Sequence, residues 1–247
     1  MSEIHLQVLA GLSNRLRSLV SGICLAEDYN CNLVVHWSLD HACGALFEQL
    51  FDPSTLPPFV TITPFPLLKA YHILSENDTE MIKTKWDRKQ PLVVKSYAHF
   101  YTEDMSRWLT HLRKIQPRKE ILDEVSQRLP PFDPTRFLGV HIRRTDHVKC
   151  IAASPLEAFL QKLDNTESFL IAATDDVGVR KELEERYAGR IFFASRVLER
   201  FSEIGMREAL IDFLCLSRCP MILGSTHSSY SEMAGLYGGC TVEFVKG

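Results

Sequence analysis

Residues 137–146, FLGVHIRRTD, begin as an apolar run and end in a cluster of charges. The apolar run predicts a buried β-strand over 137–142, because strands covered on both faces are nearly continuous in hydrophobic residues. Successive side chains of a strand point to opposite faces. His141 and Arg143 are therefore expected on one face, and Arg144 on the other.

The charged end of this stretch allows two interpretations. Guanidinium groups match phosphate oxygens and stay charged at every relevant pH, so Arg143 and Arg144 are candidates to hold an anion. In the alternative, one arginine pairs with Asp146 or Asp175 and the other is solvated. The pattern favours the anion site.

After this stretch the chain alternates between strands and helices. Strands are predicted over 137–142, 169–173, 191–194, 221–224 and 241–245, and helices over 154–164, 177–187, 206–216 and 228–237. Pro155 is expected at the first helical position of the first of these helices. Because each crossover is short, the pattern predicts a parallel, doubly wound sheet.

Before this stretch, the chain opens with a β-strand, a helix and a second strand. The strands are predicted over 4–9 and 32–37, and the turn at Gly11 to Asn14 is expected to begin the helix. Prolines break up the region 52–92, whose strand candidates are 59–63 and, at its end, 92–96.

A helical hairpin interrupted at Pro117 is predicted over 104–129. The prolines of 130–134 are taken as a hinge between two domains, 1–130 and 131–247.

Composition excludes several classes of protein. The 247 residues carry 28 Lys and Arg against 31 Asp and Glu, a net charge of −3, which lacks the basic excess of a general nucleic-acid binder. No apolar run approaches the roughly 20 residues of a membrane span, and the start lacks secretory features. The seven cysteines lack a C-x-x-C pair and are expected as free thiols. A cytoplasmic protein is expected.

Several catalytic motifs are absent from the sequence. It contains no G-x-G-x-x-G, Walker A, H-E-x-x-H or G-x-S-x-G segment, which argues against common dinucleotide, P-loop, zinc-protease and hydrolase sites. It also lacks a D-x-D triplet that could bridge a metal to a nucleotide diphosphate. An anionic ligand would therefore be held by arginines and backbone amides, and no metal is expected.

Three further places could contact a ligand. The segment 224–230 follows a strand and opens a helix, where free amides favour phosphate, although N-capping by Ser228 is an equal alternative. Asp175 and Asp176 also open a helix, and capping is preferred to catalysis there. Asp212 lies on an apolar helix and needs a partner, for which the amino groups of a ligand are one candidate.

These segments resemble a known family. The similarity is carried by HIRRTD at 141–146, ATDD at 173–176, ALIDFLCLS at 209–217 and the serine pair Ser228 and Ser229. In this order and spacing they are similar to motifs of the GDP-fucose-dependent fucosyltransferases, above all the core and nodulation α-1,6-fucosyltransferases and the protein O-fucosyltransferases. GLSNR at 11–15 resembles the amino-terminal turn of that family.

The resemblance implies a GT-B fold of α/β class, with two Rossmann-like domains whose doubly wound parallel sheets face each other across a cleft. It implies an inverting, metal-independent transfer of L-fucose from GDP-fucose to a glycan. The 247 residues leave little chain for an acceptor-binding appendage, so a small glycan is expected as acceptor. The implied residues are His141 and Asp212 at guanine, Arg143 and Arg144 at the diphosphate, Ser228 and Ser229 at the phosphates, Asp175 on the donor side, and the loop of Gly11, Asn14 and Arg15 closing over the donor.

The general base departs from the family pattern. The core enzymes carry a glutamate a few residues after H-x-R-R-x-D, and Ile151 occupies the aligned position here. Asp146 is nearer but is interpreted as structural, which leaves Asp40, His41 and Glu48 as open candidates. Two alternatives to a fucosyltransferase therefore stay open: a transferase for another GDP-sugar, and a protein that binds nucleotide sugars without transfer. The oligomeric state is left open.

Overall fold

The computed structural model describes residues 3–67, 72–74, 78–129, 133 and 136–247. The chain divides into two compact units. The N-terminal unit comprises Met1–Arg118 and Phe201–Glu203, and the C-terminal unit comprises Lys119–Arg200 and Ile204–Gly247.

A parallel sheet of five strands forms the centre of the N-terminal unit. Its elements are β1 (Glu3–Val8), α1 (Leu12–Tyr29), β2 (Asn32–His36), α2 (Phe47–Leu50), a 3-10 turn (Pro53–Thr55), β3 (Val60–Thr63), β4 (His72–Leu74), α3 (Thr79–Lys85), β5 (Leu92–Ser96) and α4 (Met105–Lys114). The strand order is β3-β2-β1-β5-β4, and every neighbouring pair is parallel. The predicted opening βαβ unit is confirmed.

Helix α1 packs directly on this sheet. Its apolar positions Leu16, Leu19 and Ile23 are buried, and a Cβ atom added at Gly22 would lie 2.7 Å from the Leu6 side chain. Gly22 therefore sets how closely the helix approaches β1. The helix begins at Leu12, earlier than the predicted turn through Asn14 allows, because Gly11 already adopts the extended N-cap conformation.

The C-terminal unit repeats this plan with a second parallel sheet. Its elements are α5 (Lys119–Arg128), β6 (Phe137–Ile142), α6 (Val148–Ala153), α7 (Leu156–Asp164), β7 (Phe169–Thr174), α8 (Val177–Arg186), β8 (Ile191–Phe193), α9 (Glu203–Leu216), β9 (Met221–Ser225), α10 (Ser229–Gly238) and β10 (Thr241–Val245). The strand order is β10-β9-β6-β7-β8, with parallel pairing throughout. The predicted doubly wound sheet is confirmed.

The core of the C-terminal unit lies between β6, β7 and the helices that follow them. Val140 and Leu170 of the sheet pack with Phe159 of α7 and Leu183 of α8, all with no exposed surface. Burial of one such side chain stabilises a fold by roughly 1.5–3 kcal/mol. The apolar half of the 137–146 stretch thus anchors the strand from which its charged half projects.

Some boundaries differ from the sequence predictions. Pro155 is the N-cap residue of α7 rather than its first helical residue, and α9 begins three residues before the predicted 206. The short elements β4, α3 and α6 were not predicted, because none is long enough to show a clear hydrophobic period.

The boundary between the two units follows Arg118, so α5 packs within the C-terminal unit. Arg128, the last residue of α5, pairs with Glu208 of α9 at 2.6 Å, which accounts for this assignment. The predicted hinge at 130–134 falls largely outside the described residues, because 130–132 and 134–135 are not among them.

All seven cysteines are free thiols, and six of them are buried. This confirms the prediction of free, mostly buried cysteines. Burial raises the pKa of the Cys24, Cys215 and Cys219 thiols to about 12. Within the described part of the chain, no three His, Cys, Asp or Glu side chains are placed to hold a metal ion. No helix in that part is long and apolar enough to cross a membrane.

Candidate functional site

The carboxyl ends of β6 and β9 lie side by side, although β7 and β8 intervene in the sequence. Doubly wound sheets bind their ligands at such a reversal of strand order. Two hydrogen bonds join the strand ends here: the Arg143 amide donates to Ser225 Oγ at 3.0 Å, and this hydroxyl donates to the His141 carbonyl at 3.3 Å. The arginine motif is thus fixed at the place where a ligand is expected.

Asp175, which follows β7, holds the arginine motif in shape. Its carboxylate accepts hydrogen bonds from the Arg144 amide at 2.7 Å and the Thr145 hydroxyl at 2.6 Å, and it pairs with Arg143 Nη1 at 2.7 Å. Burial acts to raise the pKa of Asp175, but Arg143 and these hydrogen bonds outweigh burial and lower it. All three partners belong to the motif, so Asp175 orders the residues around a ligand.

Arg143 is the arginine that the protein itself neutralises. Its guanidinium pairs with Asp146 and with Asp175. Asp146 also pairs with Arg200 at 3.0 Å, and although burial acts to raise the pKa of Asp146, the two arginines lower it. The alternative of an arginine paired with Asp146 or Asp175 therefore holds for Arg143, which pairs with both.

Arg144 is in a different situation. Nη1 makes one long hydrogen bond, 3.4 Å to the Ile151 carbonyl, and Nη2 is buried without any partner. No carboxylate of the described residues pairs with this guanidinium, and burial lowers its pKa. A buried donor nitrogen of a charged group is costly when its hydrogen bond is unmet, and an anionic ligand at Nη2 would remove that cost. The other alternative, a solvated second arginine, describes Arg144 only in part, because the residue is half-buried and its Nη2 is shielded from solvent.

His141 is a buried and neutral imidazole. Its ring stacks on Tyr230 of α10, with 4.7 Å between the ring centroids. Burial lowers the pKa of His141 to about 3; Asp175 opposes this shift and Arg143 adds to it. One ring nitrogen, Nδ1, is buried and has no hydrogen-bond partner. The site therefore offers an uncharged aromatic wall with one unused polar atom.

Asp212 of α9 lies beside this aromatic wall. Its neighbour Phe213 packs edge-on against Tyr230, with 5.7 Å between ring centroids. Oδ1 of Asp212 accepts a hydrogen bond from the Ser195 amide at 2.9 Å, and burial raises the pKa of Asp212 to about 7. A partner for this carboxylate was expected from the sequence. For Oδ1, that partner is a backbone amide of the protein itself.

The helices that follow β7 and β9 are each capped by a side chain. Asp176 accepts from the Val179 amide at 2.8 Å and caps α8, which confirms capping at that segment. Ser228 is the N-cap residue of α10 and accepts from the Tyr230 amide at 3.4 Å. Ser229 is the first helical residue. Capping by Ser228 is therefore confirmed, and phosphate contacts by Ser228 and Ser229 stay predictions.

In the N-terminal unit, Arg15 is fully buried and serves its own loop. Nε donates to the Ala10 carbonyl at 2.8 Å, Nη1 to the Ser38 carbonyl at 2.6 Å, and Nη2 pairs with Asp40 at 2.7 Å. The guanidinium also lies over the Trp37 ring, 5.4 Å from its centroid. Arg15 therefore joins the loop after β1 to the loop after β2, and its predicted contact with a donor stays a prediction.

The turn between β1 and α1 keeps polar atoms without partners. Ala10 adopts a positive φ of 63°, which is unusual for a residue other than glycine. Gly11 gives α1 no side-chain cap, and Ser13 Oγ and Asn14 Oδ1 are buried and unpaired. The turn that was predicted to contact the sugar donor therefore contains two buried polar atoms without hydrogen bonds, and one of them belongs to Asn14.

Asp40 is committed to its own loop. Oδ1 accepts from the amides of Ala42 at 2.8 Å and Cys43 at 3.0 Å, and Oδ2 is taken by the ion pair described above. His41 and Glu48, the other base candidates of this region, have exposed side chains. Asp40 therefore has no oxygen without a partner.

Three residues of the C-terminal site had no predicted role: Ser195, Arg200 and Tyr230. Tyr230 stands in the segment 224–230 that was singled out, and an aromatic residue at a helix start beside a ligand site could have been noticed. Ser195 and Arg200 lie in a loop without periodicity, so nothing local in the sequence indicates their partners.

Fucosyltransferases are among the solved structures that share this fold. The fucosyltransferase NodZ from Bradyrhizobium matches with a TM-score of 0.68 and 16% identity, over 95% of this chain and 93% of NodZ. A FUT1 variant of Arabidopsis thaliana in complex with GDP matches with a TM-score of 0.64 and 14% identity, over 98% of this chain and 69% of FUT1. POFUT1 in its apo form matches with a TM-score of 0.59 and 12% identity, over 99% of this chain and 97% of POFUT1.

The chain has the GT-B fold of these fucosyltransferases. Crystal structures are known of NodZ, an α-1,6-fucosyltransferase, soaked with GDP-fucose, and of POFUT1 in complex with GDP. The sequence matches no protein-family model and no curated relative. The fold predicted from the arginine motif and its neighbours is therefore confirmed by structure, at a level of identity where sequence comparison alone finds nothing.

Proposed function

We propose that this protein is a fucosyltransferase that moves L-fucose from GDP-fucose to a hydroxyl of a small glycan, with inversion at the anomeric carbon. One observation carries the proposal: half-buried Arg144 has a buried nitrogen, Nη2, without a hydrogen bond and no carboxylate partner, at the strand end where this fold binds ligands. An anion with oxygen atoms in a fixed arrangement accepts the hydrogen bond that Arg144 Nη2 does not make within the protein. The diphosphate of a nucleotide sugar has such oxygen atoms.

In the proposed complex, Arg144 binds the diphosphate directly and Arg143 joins it by exchanging Asp146 for a phosphate oxygen. His141 and Asp212 contact the guanine, in line with their buried positions beside the Tyr230 ring. Ser228 and Ser229 supply hydroxyl and amide donors from the start of α10, where the helix dipole favours negative charge.

Catalysis in this proposal depends on stabilising the departing GDP. Negative charge grows on the β-phosphate as the bond to fucose breaks, and fixed guanidinium groups stabilise that charge without a metal. Positioning of the acceptor hydroxyl supplies a further part of the rate. Because all seven thiols are free, we place the reaction in the reducing environment of the cytoplasm.

A direct test is titration calorimetry of GDP into the protein in the presence of EDTA, followed by a transfer assay with GDP-fucose and GDP-mannose over a glycan array. The expected result is metal-free GDP binding and a fucosylated product. Binding of GDP only after addition of a divalent metal would contradict the proposed mechanism, and transfer from GDP-mannose alone would change the donor.

Binding of a GDP-sugar without transfer is the second candidate. It is favoured by Ile151, which stands where the resembling enzymes carry a glutamate, and by Asp40, whose oxygens are both in use. In that case GDP-fucose would bind with no product on any acceptor of the array. Detection of a fucosylated product excludes this candidate.

A further inference from the structure

Asp146 joins two arginines that come from different segments of the C-terminal unit. Its Oδ1 accepts a hydrogen bond from Arg143 Nη2, and its Oδ2 accepts one from Arg200 Nη2 at 3.0 Å. Arg143 follows β6, whereas Arg200 lies in the loop between β8 and α9. Among the residues that the structure describes, these two guanidinium groups are the partners of the Asp146 side chain. One small carboxylate therefore brings both cations to the same place beside the arginine motif.

The loop presents Arg200 from a closely packed backbone. The Glu199 carbonyl lies against the start of α9, where a Cβ atom added at Gly205 would be 2.3 Å from the carbonyl oxygen. The Arg200 side chain is 31% exposed, and Asp146 is its ion-pair partner within the described part of the chain. The position of Arg200 thus suits either Asp146 or an anion that takes the place of Asp146.

Asp146 and Asp175 both pair with Arg143, but the protein holds them to different extents. The Asp175 side chain is 12% exposed and also accepts from the Arg144 amide and the Thr145 hydroxyl. The Asp146 side chain is 59% exposed and is held by its two ion pairs. Ion pairs at the surface contribute little to stability, because water competes for both charges. Asp146 can therefore release both arginines at small cost, while Asp175 keeps its place.

A phosphate group matches the position of the Asp146 carboxylate. Both groups offer neighbouring oxygens that guanidinium groups bind by charge-assisted hydrogen bonds. The diphosphate of a nucleotide sugar carries one negative charge on each phosphate at neutral pH. Once Asp146 has moved into solvent, these charges and that of Asp175 balance the three arginines of the site, which are Arg143, Arg144 and Arg200. With Asp146 still in place, negative charge would be in excess.

We propose that Arg200 is a third arginine of the diphosphate site, and that Asp146 is an internal counter-ion, which a phosphate of the donor displaces from Arg143 and Arg200. This inference rests on the proposed binding of GDP-fucose. In the free protein, Asp146 keeps the two guanidinium groups close together and neutralised. In the complex, one phosphate accepts from both of them, so Arg200 contributes to donor affinity and Asp146 opposes it.

The test is calorimetry of Arg200→Met and Asp146→Asn with GDP and with GMP, which lacks the β-phosphate. Arg200→Met should bind GDP about 10- to 100-fold more weakly, since a charge-assisted hydrogen bond is lost. A loss restricted to GDP assigns the β-phosphate to Arg200, and an equal loss for both nucleotides assigns the α-phosphate. Asp146→Asn should bind GDP about 3- to 10-fold more tightly, because a neutral amide competes less for the two arginines.

Arg207→Met is the matched control. Arg207 is also 31% exposed and pairs with a carboxylate at 3.0 Å, that of Glu124. Its replacement removes the same charge from the same unit and should leave the affinity for GDP unchanged. The melting temperatures of all three variants should stay near that of the wild type, because each loses only partly exposed ion pairs.

Unchanged GDP affinity in Arg200→Met would overturn the phosphate contact of Arg200. Unchanged or weaker GDP binding by Asp146→Asn would overturn the role of Asp146 as a displaced counter-ion, since a carboxylate that merely orders the arginines helps binding. In both cases GDP binding by the wild type stands. If the wild-type protein does not bind GDP, the proposed function fails, and this inference with it.

Discussion

Arg15 of the N-terminal unit and Arg144 of the C-terminal unit each follow a strand of a parallel sheet, and the protein satisfies the hydrogen bonds of the two guanidinium groups to opposite extents. Arg15 of the N-terminal unit uses all three of its nitrogen atoms on protein acceptors and pairs with Asp40. Arg144 of the C-terminal unit makes one long hydrogen bond and leaves Nη2 unbonded. The position of an arginine after a strand therefore says little about ligand binding, whereas the hydrogen bonds that the protein does not supply indicate it.

The largest expected effect comes from Arg144→Ala. It removes a charge that we assign to the leaving diphosphate, so transfer from GDP-fucose should fall by about 10²- to 10³-fold in kcat. The melting temperature should not fall, because no protein carboxylate loses a partner. Arg186→Ala, which removes an exposed arginine paired with Asp164, is the control and should leave kcat unchanged. A strongly destabilised Arg144→Ala protein would contradict the contrast with Arg15.

Arg15→Met should show the opposite result. Truncating one partner of a buried pair leaves the Asp40 charge and two carbonyls uncompensated, which should reduce the free energy of unfolding by about 3 kcal/mol. Urea denaturation measures this loss, with Lys119→Met as an exposed control that should unfold like the wild type. If Arg15→Met keeps its stability and loses GDP affinity instead, Arg15 is a ligand contact, as the resemblance implied.

The affinity for GDP should depend on pH through Asp212. Burial raises its pKa to about 7, so the carboxylate that accepts from guanine is mostly protonated at pH 6 and mostly ionised at pH 8. Binding should tighten about tenfold over this interval, following the ionised fraction. His141 contributes nothing here, because its pKa of about 3 keeps it neutral throughout.

Asp212→Asn is the control for this pH dependence, since its amide oxygen can still accept from the Ser195 amide. Calorimetry at pH 6, 7 and 8 should give a much flatter profile for this variant. Stability shifts in the opposite direction: folding raises the pKa of Asp212, so its contribution is present at low pH and is lost as the pH rises through about 7. An equally steep GDP profile in Asp212→Asn would assign the titration elsewhere.

The smallest effect compares two helix caps. Ser228 caps α10 beside the proposed phosphates, whereas Asp104 caps α4 in the N-terminal unit, accepting from the Ser106 amide at 2.9 Å. Replacement of Ser228 by alanine should cost about 1 kcal/mol of stability, as loss of an N-cap does. Asp104→Ala should destabilise in the same way, and only Ser228→Ala should also weaken GDP binding. Equal GDP affinity in both variants would leave Ser228 with capping alone.

Hydrophobic patterns along the sequence predicted many of the strands and helices, and the agreement is clearest at β6. The apolar run of 137–142 has the bounds of the observed strand, because a strand buried on both faces shows itself in consecutive residues. Region 52–92 shows the reverse case. Its prolines excluded long elements, and β4 and α3 are short, so neither develops a period that could be recognised.

Residue roles were harder to predict, because partners are distant in sequence. Arg143 and Arg144 are adjacent and chemically identical, yet only Arg143 meets Asp146 and Asp175, the latter from the neighbouring strand. Arg15 finds its partners at Ser38 and Asp40 through the pairing of β1 with β2. The Ser195 amide donates to Asp212 of α9, a helix that begins eight residues later in the sequence. The sequence indicates which charged residues lie near the strand ends. Tertiary contacts decide which of these residues find hydrogen-bond and ion-pair partners within the protein.

Alkylation of the buried cysteines can report how often each part of the chain unfolds. Burial raises the pKa of the Cys24, Cys215 and Cys219 thiols to about 12, so these thiols are almost entirely protonated at neutral pH in the folded protein. Alkylating reagents react with the thiolate form, so these cysteines should be labelled only when the chain opens. Cys24 belongs to the N-terminal unit and the other two to the C-terminal unit. Mass spectrometry of pulse-alkylated protein would therefore time the exposure of each unit separately.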